Sequence, residues 1–143
     1  MEEMDRIIEL AQRHGRQAGA YRLLMMAMGY ALERMEERRH LSGEEFMDWL
    51  LRMLREQFGY MGKWLLEHYR LRWPAEVGRA IFELVEAGIF SRREEDTMED
   101  FLKRRGRLTD GYEVEFGEEG WWEREGADWR FLPVPGGEVL LAP

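Results

Sequence analysis

The chain has 143 residues, 45% of them hydrophobic and 13% aromatic, which is enough for one domain with its own core and too much for disorder despite a charged fraction of 35%. It has no cysteine, which excludes disulfides, thiolate metal sites and a cysteine nucleophile, and no apolar run nears the ~18–20 residues that span a bilayer. The net charge of −8 is uneven: residues 91–143 carry fourteen acids against eight bases, so the last third is the part least suited to a phosphate backbone.

The opening, "MEEMDRIIEL", is acidic and amphipathic, unlike a secretory signal, and a cytoplasmic protein is expected. Met4, Ile7, Ile8 and Ala11 recur at helical spacing and predict a first helix over 2–13. Gly15 and Gly19 bracket its end and the next start. Residues 20–38 predict a second helix. One face carries Tyr21, Leu24, Met25, Met28, Leu32 and Met35, and another carries Leu23, Ala27, Tyr30 and Ala31. A helix apolar over so much of its circumference is central and covered on several sides, with its methionines as core filler.

Ser42 with Glu45 three residues on is a capping-box pattern and starts a third helix. An apolar stripe then runs through Phe46, Trp49, Leu50, Met53, Leu54, Phe58, Met61 and Leu65. Gly59 and Gly62 interrupt it, each costing roughly 1 kcal/mol against alanine inside a helix, and they predict a kink, a break or a close crossing. Pro74 suits the first turn of the next helix, with Val77, Ala80, Ile81, Leu84 and Val85 as its buried face and Gly88 as its stop. Asp96 with Glu99 repeats the capping pattern for a short helix through about Arg104 that buries Met98, Phe101 and Leu102. After Gly106 the period changes to two. "YEVEF", "WWER", "WRFL" and "VLL", separated by turn-forming stretches, predict a meander of three or four strands. The expected fold is mainly α, about five helices over 1–106, with a small C-terminal antiparallel β meander over 107–143 packed on them as one structural unit, α+β as a whole.

Residues 20–101 resemble an uncharacterised bacterial family described as a conserved repeat protein of Planctomycetes and Verrucomicrobia. The resemblance rests on "AYRLLMMAMGYAL", "RHLSGEEF", "QFGYMGKWLLEHYRL", "VGRAIFELVEAGIF" and "EEDTMEDF", in the family's order and spacing. The family pattern has Trp-Gly where this chain has Tyr69-Arg70, and Asp-Phe-Gly where it has Glu76-Val77-Gly78. The resemblance implies a mostly helical domain with no established activity and no catalytic residues.

Motifs for chemistry are sparse. His40, Glu44 and Glu45 could ligate a metal, but His40 precedes the cap Ser42 and so does not share a helical face with Glu44. Glu94, Glu95, Asp96, Glu99 and Asp100 have no calcium-loop spacing and suit a helix N-terminus, where the macrodipole favours carboxylates. The two serines, Ser42 and Ser91, lie outside any G-x-S-x-G, and no phosphate-binding glycine motif occurs. These readings assign no catalytic residue, cofactor or metal.

Helix, Gly88, an apolar run and then Arg92-Arg93 is also how the reading head of a winged-helix protein looks, with the arginines in the wing. Glu94, Glu95 and Asp96 follow at once, and the helix before is expected to expose Glu76, Glu83 and Glu86 against Arg79 alone. Nucleic acid is therefore the alternative rather than the expectation. The expectation is a non-enzymatic module for protein–protein interaction, a homodimer or a complex with another protein, with Trp64, Trp121, Trp122 and Trp129 as interface candidates.

Overall fold

The computed structural model describes residues 2–37, 39–91, 98–104 and 106–110 with their surroundings, and beyond them the backbone of three short strands. The protein is mainly helical. Six helices are found among the described residues: α1 (Glu2–His14), α2 (Ala18–Arg34), α3 (Gly43–Phe58), α4 (Met61–His68), α5 (Pro74–Glu86) and α6 (Met98–Leu102). None is long and apolar enough to cross a membrane. The strands β1 (Val114–Phe116), β2 (Gly120–Glu125) and β3 (Asp128–Pro133) pair antiparallel in chain order, with Phe116 opposite Trp121 and Trp122 opposite Phe131. The "VLL" run, residues 139–141, and the proposed cap Asp96 lie outside the described residues.

α2 is the centre of the helical body and packs against α1, α3 and α5. Of its two expected faces, Leu23, Ala27, Tyr30 and Ala31 are all buried, whereas on the other Tyr21 and Leu24 are buried and Met25, Met28, Leu32 and Met35 are half-buried. It ends four residues earlier than its apolar period suggests. Met35 is already extended (φ −73°, ψ 136°), and Glu36 and Glu37 follow, carboxylates that the negative end of a helix disfavours. α1 contributes Ile7, Leu10 and Ala11 to the core, whereas Met4 and Ile8, expected on the same stripe, are exposed.

The stripe along 46–65 is broken rather than kinked. Gly59 takes φ +53°, which ends α3, and α4 begins two residues later. The break also changes the helix phase. Phe46, Leu50, Met53 and Leu54 are buried in α3, but in α4 the buried residues are Gly62 and Leu66, and Met61 faces solvent. α6 is shorter than expected, and Leu102 is exposed while Phe101 is buried. Beyond it Leu108 and Thr109 are buried, and the Leu108 N–H donates to the Arg72 carbonyl at 2.7 Å, so the helical body extends past residue 106.

Three helices close in the same way. In α1 the Arg16 N–H reaches the Ala11 carbonyl (2.9 Å) across Gly15, at φ +66°. In α5 Ile89 reaches Leu84 (2.9 Å) across Gly88, at φ +76°. In α4 Leu71 reaches Leu66 (2.8 Å) across Arg70, at φ +56°. This left-handed ending favours glycine because a Cβ crowds the following carbonyl. At Arg70 the chain pays that cost.

The ending of α1 delivers Arg16 to the side of α5. Its guanidinium donates through Nε to Glu83 Oε1 (2.5 Å) and through a terminal nitrogen to Oε2 (3.2 Å). The Tyr21 hydroxyl donates to Oε1 at 2.6 Å, and His14 Nδ1 lies 3.5 Å from Oε2. The Arg16 and Glu83 side chains are only 16% and 14% exposed, so this is an ion pair largely withdrawn from water. Glu83 is thus not on the exposed face of α5 as expected. Nor is Glu76, which pairs with Arg72 (2.9 Å) and accepts the backbone N–H groups of Arg72 and Trp73 at the helix start. Burial acts to raise the Glu83 pKa, but the hydrogen bonds from Arg16 and Tyr21 and the Arg16 charge outweigh it and hold it below the usual carboxylate value.

Two expectations follow. Because the folded pKa of Glu83 is depressed, its contribution is complete above the unfolded value and lost as pH falls through the folded one. Glu83→Gln should therefore destabilise by about 2–3 kcal/mol at pH 7. In urea titrations its deficit against wild type should shrink below about pH 4.5; a deficit independent of pH would show that the charge is not what matters. Arg70→Gly should stabilise by about 1 kcal/mol, since it removes the left-handed penalty of an exposed side chain, read as a higher urea midpoint with unchanged slope.

Candidate functional site

Among the described residues an apolar pocket of about 550 Å³ opens between α2, α3, α5 and α6. Its construction starts from two glycines. A Cβ on Gly43, in the first turn of α3, would come within 2.8 Å of the Phe101 ring, and one on Gly78 of α5 would come within 3.0 Å of Phe101 and of the Met98 side chain. α6 therefore rests directly on the backbones of α3 and α5, and Phe101 wedges between them. Its ring meets Phe82 edge to face, with centroids 6.1 Å apart. Gly43, Phe46 and Phe101 are the buried residues of the lining.

Met28 and Leu32 of α2 form one wall, and Ile81, Phe82 and Val85 of α5 form the other, continued by Ile89 and Phe90 beyond the helix stop. Ile81 and Val85 were expected in the core and are only half-buried, because they line this pocket. Helical periodicity records that a face is apolar; it does not record whether a neighbouring side chain fills the space opposite.

The rim is polar. Arg39, His40 and Ser42 come from the α2–α3 connection, and Ser91 and Asp100 from beyond α5 and from α6. The capping box is complete: Ser42 Oγ accepts the Glu45 N–H (3.1 Å) and Glu45 accepts the Ser42 N–H (3.1 Å). Arg39 donates both terminal nitrogens to Glu45, one at 3.0 Å, and this pairing, with Ser42, holds the Glu45 carboxyl down at about 2 against the opposing effect of burial. Asp100 lies 3.7 Å from Lys103. The charges at the mouth are thus compensated within the rim.

Glu45, one of the three residues weighed as metal ligands, is committed to Ser42 and Arg39; Glu44 is exposed, and His40 lines the pocket. Among the described residues no group of three or more histidines and carboxylates is placed to hold a metal ion. Glu94, Glu95 and Asp96 lie outside the described residues, as do Arg92 and Arg93. The helix before them exposes only Arg79 and Glu86.

A second feature is a surface. Tyr60, Met61 and Trp64 follow one another at the start of α4, and each is about half exposed: 50%, 51% and 49%. Trp64 stacks on His68 one turn further on, with centroids 4.5 Å apart and rings 10° from parallel. The phase change at Gly59 creates this surface, because it moves Met61 off the buried stripe and brings Leu66 onto it. Of the other tryptophans proposed for an interface, Trp121 and Trp122 occupy adjacent positions of β2 and Trp129 is in β3 opposite Arg124. The structure does not bring them together with Trp64 into one described site. Comparisons of the chain with protein-family models, with curated proteins and with solved structures gave no match.

The glycine seat makes a specific expectation. Gly43→Ala should push Phe101 and α6 outward and destabilise by about 1–3 kcal/mol, whereas Gly29→Ala, where an added Cβ meets nothing within 4 Å, should be neutral or mildly stabilising. Thermal melts of the two variants side by side test the difference; equal melting temperatures would refute it.

Proposed function

We propose that this chain is a non-enzymatic helical module that acts by protein–protein association, with a second copy of itself as partner. The observation that carries the reading is the Tyr60–Met61–Trp64 surface. Tyrosine, tryptophan and methionine are the side chains enriched at the centres of interfaces, and here they are adjacent and half in water. Lys63 and Glu67 flank them one helical turn apart. A two-fold axis through Trp64 would set Lys63 of each copy beside Glu67 of the other, so the patch is complementary to itself.

In this reading the antiparallel meander of β1–β3 packs on the helical body, which itself reaches Leu108 and Thr109, giving an α+β unit that works in the cytoplasm. The strand register supports a covering role. Neighbouring positions alternate between sheet faces, so Trp122 and Phe131 share one face while Trp121, Phe116 and Leu132 share the other. A three-stranded sheet with large apolar residues at positions of both faces needs cover on both. The helical body supplies one cover and a partner the other. The resemblance of residues 20–101 to the Planctomycetes and Verrucomicrobia family belongs to the same proposal. It begins within α2 and ends within α6, leaving out α1, and implies no chemistry of its own.

Sedimentation velocity over a hundredfold concentration range tests the association. The wild-type chain should shift from monomer to dimer, and Met61→Glu with Trp64→Ser should leave a monomer with unchanged melting temperature, because both side chains are exposed. A wild-type monomer at every concentration would overturn self-association.

A further inference from the structure

We infer that the pocket between α2, α3, α5 and α6 is a binding site for an uncharged apolar small molecule, of the class of a medium-chain alcohol or a neutral lipid fragment. Its volume of about 550 Å³ falls in the range of small-molecule sites. Its walls are aliphatic and aromatic on every element that reaches it. Open space against such walls forfeits packing contacts, and water there finds few hydrogen-bond partners away from the rim. The residues that would close the space are present but held back. Phe101 is drawn down between Gly43 and Gly78, and Ile81 and Val85 stand half-buried with their faces toward the opening.

The rim decides the charge of the ligand. Arg39 is engaged by Glu45, and Asp100 lies within ion-pair distance of Lys103. An amine would have to displace one of these pairs, and a carboxylate would have to displace one or rely on the His40 ring alone. A hydroxyl would not: Ser42 Oγ accepts the Glu45 N–H and keeps its own proton to donate, and Ser91 supplies a second hydroxyl across the mouth. The site is separate from the Tyr60–Met61–Trp64 surface, so either assignment can fail without the other.

The test uses Nile red, a neutral solvatochromic dye, as the probe, with competition by 1-dodecanol and by dodecanoate. The wild-type chain should bind one dye with a blue-shifted emission, and dodecanol should displace it at concentrations at least tenfold below dodecanoate. Val85→Trp and Leu32→Trp, which fill the pocket from opposite walls, should each weaken binding at least tenfold, while Trp64→Ser should leave it unchanged. Methyl NMR of the wild-type chain gives a reading independent of whether the filled variants fold: the Ile81 and Ile89 methyls should shift on dodecanol addition and the exposed Ile8 methyl should not. Absence of dye binding, binding lost in Trp64→Ser, or Ile81 and Ile89 methyls that stay put overturns the site. Dodecanoate competing as well as dodecanol overturns the assignment of an uncharged ligand.

Discussion

The shielded contact of Arg16 with Glu83 and Tyr21 sets the geometry of the helical body. It joins the α1–α2 turn to the last turn of α5, elements 67 residues apart in sequence by the Arg16–Glu83 bond. It exists because α1 ends in a left-handed turn at Gly15, which turns the next residue back across the helix end. Removing one partner of such a pair leaves a charge in a place water reaches poorly, which is why it constrains strongly even though its net worth against an apolar replacement is small. The same contact orients α5. At 3.6 residues per turn, Ile81 and Val85 lie roughly half a circumference from Glu83. Fixing Glu83 toward α1 and α2 therefore turns Ile81 and Val85 toward the opening beside α6. The apolar pocket is in part a geometric result of a polar contact on the far side of the same helix.

Two small residues complete that arrangement. Gly43 and Gly78 let the five-residue α6 lie against the backbones of longer helices, and Phe101 becomes the shared wedge. A larger residue at either position would lift α6. The short helix is held by close approach and by Phe101 rather than by length, since five residues cannot sustain a helix alone.

Much of the helical plan is legible in the residues. Ser42 and Glu45 announce the start of α3, and both halves of their exchange are formed. Pro74 and Gly88 bound α5 as their backbone preferences require. The two apolar faces of α2 mark it as central. What is not legible depends on relations between elements. Glu83 reads as one more exposed acid until Arg16 is placed beside it. Gly59 signals an interruption, but only the three-dimensional path shows that the phase rotates, hiding Leu66 and exposing Met61. Ile81 and Val85 carry the same pattern whether they face a filled core or a pocket. The left-handed ending at Arg70 has no signal in this chain's own residues, because the residue there is not the glycine such turns prefer.

The break at Gly59 has a further consequence for cooperativity. α4 is eight residues long, is separated from α3 by a two-residue turn, and adds only Gly62 and Leu66, with Leu71 after it, to the buried interior. Its first turn displays its aromatic and thioether groups outward, so they contribute little to holding it in place. With so few side chains fully buried, α4 opens at a lower free-energy cost than α2, α3 or α5, which can stay assembled around it. A partner seated on Trp64 would then do more than add contacts. It would suppress this partial opening, and part of its binding free energy would appear as rigidity of a helix that the isolated chain holds only weakly.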